Sequence, residues 1–393
     1  MKLEKKENVN ILLLSQFFST TRGGGENVFS NIAQVLAEND HKVWVITNNI
    51  KGEKYPQNKN IKIITIPPVL EYKGGLPPSF SDNIQFVINS IMKGKKIIDS
   101  EKIDLIHSNN FSPALAGSFL SFIKKKPHIT TVFDIFSLYE KDFWKQWTRQ
   151  TDVSYLNAIL VPWFEKILFK LRISVIHTIS DESKKDIIKM KTTKPIYNIA
   201  PTIREESQLN SKVIPLQFVY VGRLVFYKNL EIIIKASQIV TATYPDYKLV
   251  IVGDGPHRTS LENLIRKNNL EKNILFKGYL SAEEKTKIIS ESNALLFPSL
   301  IEGFGLVILE AFQQKRPVLT SNILPMSDIV EDQKTGYVIE PHDGKKWAEY
   351  IIRLIKEPET SQKMGEAGYK VLKEKYNQEI FYQKMISMYQ SVL

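Results

Sequence analysis

The chain predicts an α/β protein of two domains, each a parallel sheet with helices on both faces. Three observations point there. Short apolar runs of strand length alternate with segments of helical periodicity along the whole chain. The pattern breaks over about 192–215, where periodicity is lost and Pro195, Pro201 and Pro215 appear, and then it restarts. At 393 residues the chain is long for one core and comfortable for two. The boundaries read 1–195 for the first domain, 196–215 for a linker and 216–376 for the second. The final stretch, 377–393, is expected to pack back on the first domain.

Taken in order, Val9–Leu14 is the first strand. The loop Ser15–Gly25 closes on Gly23-Gly24-Gly25 before a helix from about Glu26 to Glu38. Such a triplet, at the carboxyl edge of a sheet, is where an α/β fold offers backbone amides to an anion, though flexible turns use it too. His41–Thr47 and Lys62–Ile66 read as strands, and Pro67–Pro78, with Gly74-Gly75 and Pro77-Pro78, as an irregular surface loop that could face an acceptor. A strand ends at His107, and the next covers His128–Val132. In Tyr155–Arg172, Leu160, Trp163, Phe164, Ile167, Leu168 and Leu171 share one helical face. A helix on a membrane shows such a stripe, but packing on a sheet is the commoner cause. Ser174–Ile179 is a strand, and Ser180 starts the following helix as its cap.

The second domain opens with the strand Gln217–Val221, the turn Gly222–Asn229 and a helix to about Ala242. Lys248–Val252 leads to Gly253-Asp254-Gly255-Pro256, and Asn273–Leu280 holds a further strand. The apolar run Ala294–Phe297 ends at Pro298 and feeds Ser299–Ala311. Pro317–Thr320, a turn at Lys334–Gly336 and helices over most of 343–375 complete the domain.

Composition narrows the function classes. Hydrophobic content of 43% and charged content of 24% suit a water-soluble globular protein. With no cysteine there is no disulfide, thiolate metal site or thiol nucleophile. The mixed charges of Met1–Glu7 and the short apolar run Ile11–Leu14 do not form a signal peptide, so a cytoplasmic location is expected. Residues 1–195 carry 28 Lys+Arg against 19 Asp+Glu, and residues 196–393 carry 25 against 23. The basic first half makes an anionic membrane surface or a lipid-phosphate acceptor a candidate partner. No nucleic-acid motif accompanies the charge, so nucleic acid is not expected.

The chemistry concentrates at Ser299–Ala311. Gly303 and Gly305 let the backbone turn tightly and approach a ligand. The first amides of the helix from Leu306 to about Gln313 suit a phosphate. Glu302 precedes that helix, and Glu310 lies one turn inside it among Val307, Ile308, Leu309, Ala311 and Phe312. A carboxylate on so apolar a helix needs a partner, either a buried cation or the hydroxyls of a vicinal diol. Arg223 and Lys228 occupy the turn after a first strand, where a diphosphate would lie.

Glu302-Gly303-Phe304-Gly305…Glu310 and Gly222-Arg223-Leu224…Lys228 resemble the donor-site motifs of family 4 glycosyltransferases. The resemblance implies the GT-B fold, two Rossmann-like domains whose parallel sheets face a central cleft, and retaining transfer. It implies that Glu310 holds the nucleotide's ribose and Glu302 contacts the transferred sugar. The backbone at Gly303, Phe304, Gly305, Leu306 and Val307 would touch sugar or phosphate. Arg223 and Lys228 would bind the diphosphate, and the segment with Tyr279 and Leu280 would read the base. Gly23, Gly24 and Gly25 would face donor phosphates and acceptor. Arg223, Lys228 and Glu302 then form the catalytic set. Family members carry a histidine where this chain has Phe133, which leaves Asp134 or His107 as substitutes; Asn229 and Ala200-Pro201-Thr202 are smaller departures.

No Asp-x-Asp triplet or histidine pair at ligand spacing is present. The expectation is metal-independent transfer without a cofactor. A nucleoside-diphosphate sugar, with UDP or GDP the leading bases, would be co-substrate, and a glycan or lipid-linked hydroxyl the acceptor. Two alternatives stand beside it: a nucleotide-sugar epimerase of the same fold, for which no acid–base pair is identifiable, and a non-catalytic nucleotide-sugar-binding protein.

Overall fold

The computed structural model describes residues 8–19, 23–53, 55–71, 79–139, 141–150, 155–205, 208–209 and 211–393. The N-terminal Met1–Glu7, Gly74-Gly75 and Pro77-Pro78 lie outside them. The chain divides into two compact units, residues 1–201 with 378–393, and residues 202–377.

The first unit is a seven-stranded sheet: β1 (Asn10–Leu14), β2 (Lys42–Ile50), β3 (Ile61–Leu70), β4 (Leu105–Asn109), β5 (His128–Thr131), β6 (Val175–Thr178) and β7 (Ile196–Asn198). The strands run in the order β3-β2-β1-β4-β5-β6-β7, and all pairings are parallel. Helices cover both faces, so central strands are apolar along their length, as β1 with four of its five residues buried. Leu12, Leu14, Trp44, Ile46 and Ile106 pack beneath Phe86 and Leu120 from the helices Phe80–Ser100 and Ser112–Lys124.

Two sequence expectations change here. Pro67-Pro68, expected in an irregular loop, belongs to β3 instead. That strand is an edge, where the missing N–H groups break no ladder, and the register shifts so that Ile66 and Val69 pair with consecutive residues of β2. Residues 196–198, placed in the linker, pair with β6 as a seventh strand.

The second unit repeats the plan with β8 (Gln217–Val221), β9 (Lys248–Val252), β10 (Ile274–Gly278), β11 (Leu295–Phe297), β12 (Val318–Ser321) and β13 (Gly336–Ile339), ordered β10-β9-β8-β11-β12-β13 and parallel throughout. Strand order reverses between β1 and β4 in one sheet and between β8 and β11 in the other. The carboxyl ends of those pairs are where an α/β fold opens a crevice for ligands.

The helix Gln378–Gln390 belongs to the first unit and is tied to its sheet by two histidines. His41 Nε2 lies 3.0 Å from the Tyr382 hydroxyl, and His107 Nδ1 lies 2.8 Å from that of Tyr389. His107 Nε2 meets Thr131 Oγ1 at 2.7 Å, and the same hydroxyl meets His177 Nδ1 at 2.8 Å. Burial pushes His128 and His177 down to about 4, and burial with its histidine neighbours lowers His107 as well. This buried network is neutral, and it is structural.

Candidate donor site

The site in the second unit is built from the turns after β8 and β11. After β8 the turn Gly222–Asn229 passes through a short helical turn, Phe226–Lys228, and Asn229 turns left-handed at φ 54°. Asparagine is among the residues that tolerate that conformation. The turn after β9 packs directly on this one: the Leu224 amide donates to the Asp254 carbonyl at 3.0 Å. A Cβ on Gly253 would stand 2.1 Å from the Gly222 carbonyl oxygen, so only glycine permits the approach.

After β11 the loop is fastened to the β8 turn. The Leu300 amide donates to the Tyr227 carbonyl at 2.8 Å. The Ser299 hydroxyl donates to the Ile301 carbonyl at 2.9 Å. Lys228 Nζ forms an ion pair and hydrogen bond with Glu302, and it also lies 5.3 Å above the Tyr227 ring and 5.6 Å above that of Phe297. The two charged side chains are only 12% and 14% exposed, so either one alone would be a costly buried charge. Glu302 is therefore not the solvated loop residue its position allows. Burial, with the Glu302 charge added to it, drives the Tyr220 phenol well above its ordinary range.

Gly305 caps the helix Leu306–Gln313 in the left-handed region at φ 95°. It has no side chain with which to satisfy the first amides, which point outward with the positive end of the helix dipole. One turn along, Lys285 Nζ donates to Glu310 Oε1 at 2.7 Å. Glu310 Oε2 is buried and has no hydrogen-bond partner among the described residues. A lone acceptor in such a place is expensive unless a ligand donor reaches it.

The structure thus gathers Arg223, Lys228, Glu302, the backbone Gly303–Val307 and Glu310 around the strand-order reversal of one sheet. Tyr279 and Leu280 follow β10, two strands away. Tyr279 is 60% exposed, and its hydroxyl points to the Asp254 carbonyl at 3.4 Å, which links it to the packed turns. Lys285 is the residue that sequence reasoning missed. It lies on the next helix, Ala282–Glu291, and the only hint of it was that Glu310 needed a partner.

Gly23, Gly24 and Gly25 sit in the first unit, where Gly23 precedes the helix Gly24–Glu38 at φ 69°. The Phe133 ring lies against Gly25, 3.2 Å from where a Cβ would be, and edge-on to Phe29. His107 cannot stand in for the family histidine, because it is fully buried with both ring nitrogens engaged. Asp134 is half-buried after β5. The helix Tyr155–Leu168 packs inward through Leu168, and its Glu165 carboxylate accepts from the Ser137 amide at 2.7 Å.

Two family models tile the chain. Residues 22–203 match "Glycosyltransferase Family 4" and residues 201–371 match "Glycosyl transferases group 1". The chain is a family 4 glycosyltransferase. Alpha-D-kanosaminyltransferase of Streptomyces kanamyceticus is 33% identical over 175 residues, 44% of this chain and 45% of that enzyme, so the match spans less than half of the relative. Sucrose-phosphate synthase from Thermosynechococcus elongatus superposes with a TM-score of 0.80 at 20% identity, over 98% of both chains. HepE from Anabaena, solved with UDP-glucose, superposes with a TM-score of 0.73 at 17% identity, over 98% of this chain and 100% of that one. The fold of this glycosyltransferase is accordingly GT-B.

Proposed function

We propose that the enzyme moves a hexose or related sugar from a nucleoside diphosphate, UDP being the first candidate, to a hydroxyl of a glycan or lipid-linked acceptor. Transfer is with retention and without a metal. The observation that carries this reading is the state of Glu310: one oxygen rests on Lys285, and the other is buried without a partner among the described residues, one turn below the uncapped amides. A ribose hydroxyl would satisfy that oxygen while the diphosphate took the helix start.

Breaking the bond from the anomeric carbon to phosphate leaves negative charge on the diphosphate and oxocarbenium character on the sugar. Fixed donors aimed at the growing charge lower that barrier most. Lys228, Arg223 and the amides from Leu306 onward supply them here. On donor binding the diphosphate replaces Glu302 as the partner of Lys228, which frees the Glu302 carboxylate to accept from a sugar hydroxyl. Membership of family 4 supports retention. The choice of UDP is supported by the relative solved with UDP-glucose.

The test is a thermal-shift screen of the protein against UDP-, GDP- and ADP-sugars, followed by product analysis with a hydroxyl acceptor. The expected result is a rise in melting temperature with one base, acceptor-dependent release of that diphosphate in the presence of EDTA, and a product anomer matching the donor's. Isomerised donor formed without acceptor, or an inverted product, would overturn the reading.

A further inference from the structure

Two neighbouring helices of the first unit leave apolar side chains in water. On Phe80–Ser100, Phe86 and Ile98 enter the core, while Ile84, Ile88 and Met92, four residues apart, line the opposite face at 45%, 52% and 60% exposure. On Ser112–Lys124, Leu120 enters the same core cluster, so this helix covers the same face of the sheet. Its Phe119, Phe122 and Ile123 are 50%, 66% and 39% exposed. Scattered exposed hydrophobes need no explanation, but an outward stripe on two adjacent helices marks a contact surface.

Charge identifies the occupant. The C-terminal half of the first helix carries Lys93, Lys95 and Lys96, and Lys125 follows the last residue of the second; all four are exposed. The acidic residues nearby are taken: Asp99 by Lys124 at 2.5 Å, Glu101 by Lys62 at 3.5 Å, and Asp82 by the capping box it forms with Ser79. The result is an apolar face with a cationic margin. A second copy of the chain would bring two such margins into repulsion. An anionic lipid bilayer matches both parts, accepting the apolar side chains at its acyl boundary and the lysines at its headgroups.

We propose that the outer face of the helices Phe80–Ser100 and Ser112–Lys124 docks the enzyme on an anionic membrane surface. The docking stands independently of the donor and acceptor, because vesicle binding is read without any transfer. The experiment is cosedimentation of the full chain with vesicles of phosphatidylcholine alone or with roughly one-third phosphatidylglycerol. The wild type should sediment with the anionic vesicles and not the neutral ones, and high salt should release it. Lys95→Ala and Lys96→Ala should each weaken binding about fivefold. Ile88→Glu should abolish it with the melting temperature unchanged, as expected of an exposed position. Failure of the wild type to bind, equal binding to neutral vesicles, or variants that sediment like the wild type would overturn the proposal. So would a concentration-dependent dimer that Ile88→Glu dissolves in the absence of vesicle binding.

Discussion

The two units share one topology and furnish it differently. Where strand order reverses in the second sheet, the chain places charge: the pairs Lys228–Glu302 and Lys285–Glu310, with Arg223 in the turn after β8. Beside the same place in the first sheet stand Ser15, Gln16 and Asn109, with Asn48 on neighbouring β2, all neutral; the acid nearby is Glu26, in the first turn of the helix after β1, and the histidine network is uncharged. The fold therefore chooses the place where a ligand can lie, and the residues after each strand choose its chemistry. One edge is suited to a diphosphate. The other carries amides and hydroxyls beside a buried acid, Glu26.

The largest test of that contrast is acid. His128 and His177 titrate near 4 in the folded protein against 6.5 when unfolded, so below 6.5 the unfolded chain binds more protons. Stability is full above 6.5 and falls as pH drops from 6.5 toward 4, by up to about 3 kcal/mol per histidine. Denaturant unfolding at pH 7 and pH 4.5, followed separately for the two units by hydrogen exchange, should show the first unit losing protection first. Equal acid sensitivity of both units would break the comparison.

Next comes Lys228→Ala, which removes the donor proposed for the leaving diphosphate and strands the Glu302 charge. The expected loss is about 10²–10³-fold in kcat. A variant with normal kcat would mean that the ion pair only holds two turns together. Gly117→Ala probes the first unit: its Cβ would sit 2.4 Å from His128 Nε2, and overpacking of that kind costs about 1–3 kcal/mol in an unfolding titration. Glu310→Gln is the mildest. It keeps the shape and weakens both the bond from Lys285 and the acceptor for ribose, so nucleotide affinity by calorimetry should fall about tenfold.

Much of this architecture could be read from residue order alone. Most strands of both sheets announce themselves as apolar runs, β7 and β13 excepted, and the Gly303–Gly305 turn with its two glutamates marks the candidate donor site. What escaped reading depends on contacts between residues far apart. Lys285 and Glu310 are 25 positions apart on different helices, and no local rule pairs them. Pro67-Pro68 reads as a loop because a proline's fit in a strand depends on whether that strand is an edge. The spacing of Ile84, Ile88 and Met92 is that of a core stripe, and only the sheet's position shows that Phe86 and Ile98 point inward instead.

Residues 378–390 carry a consequence for how the molecule is made. The first unit begins at β1, yet the Tyr389 hydroxyl that meets His107 is encoded after the whole of 202–377. During synthesis its sheet can assemble early, but the face around His41 and His107 stays open to water until that last helix has been translated. The second unit, contiguous in sequence, can finish first even though it starts later in the chain.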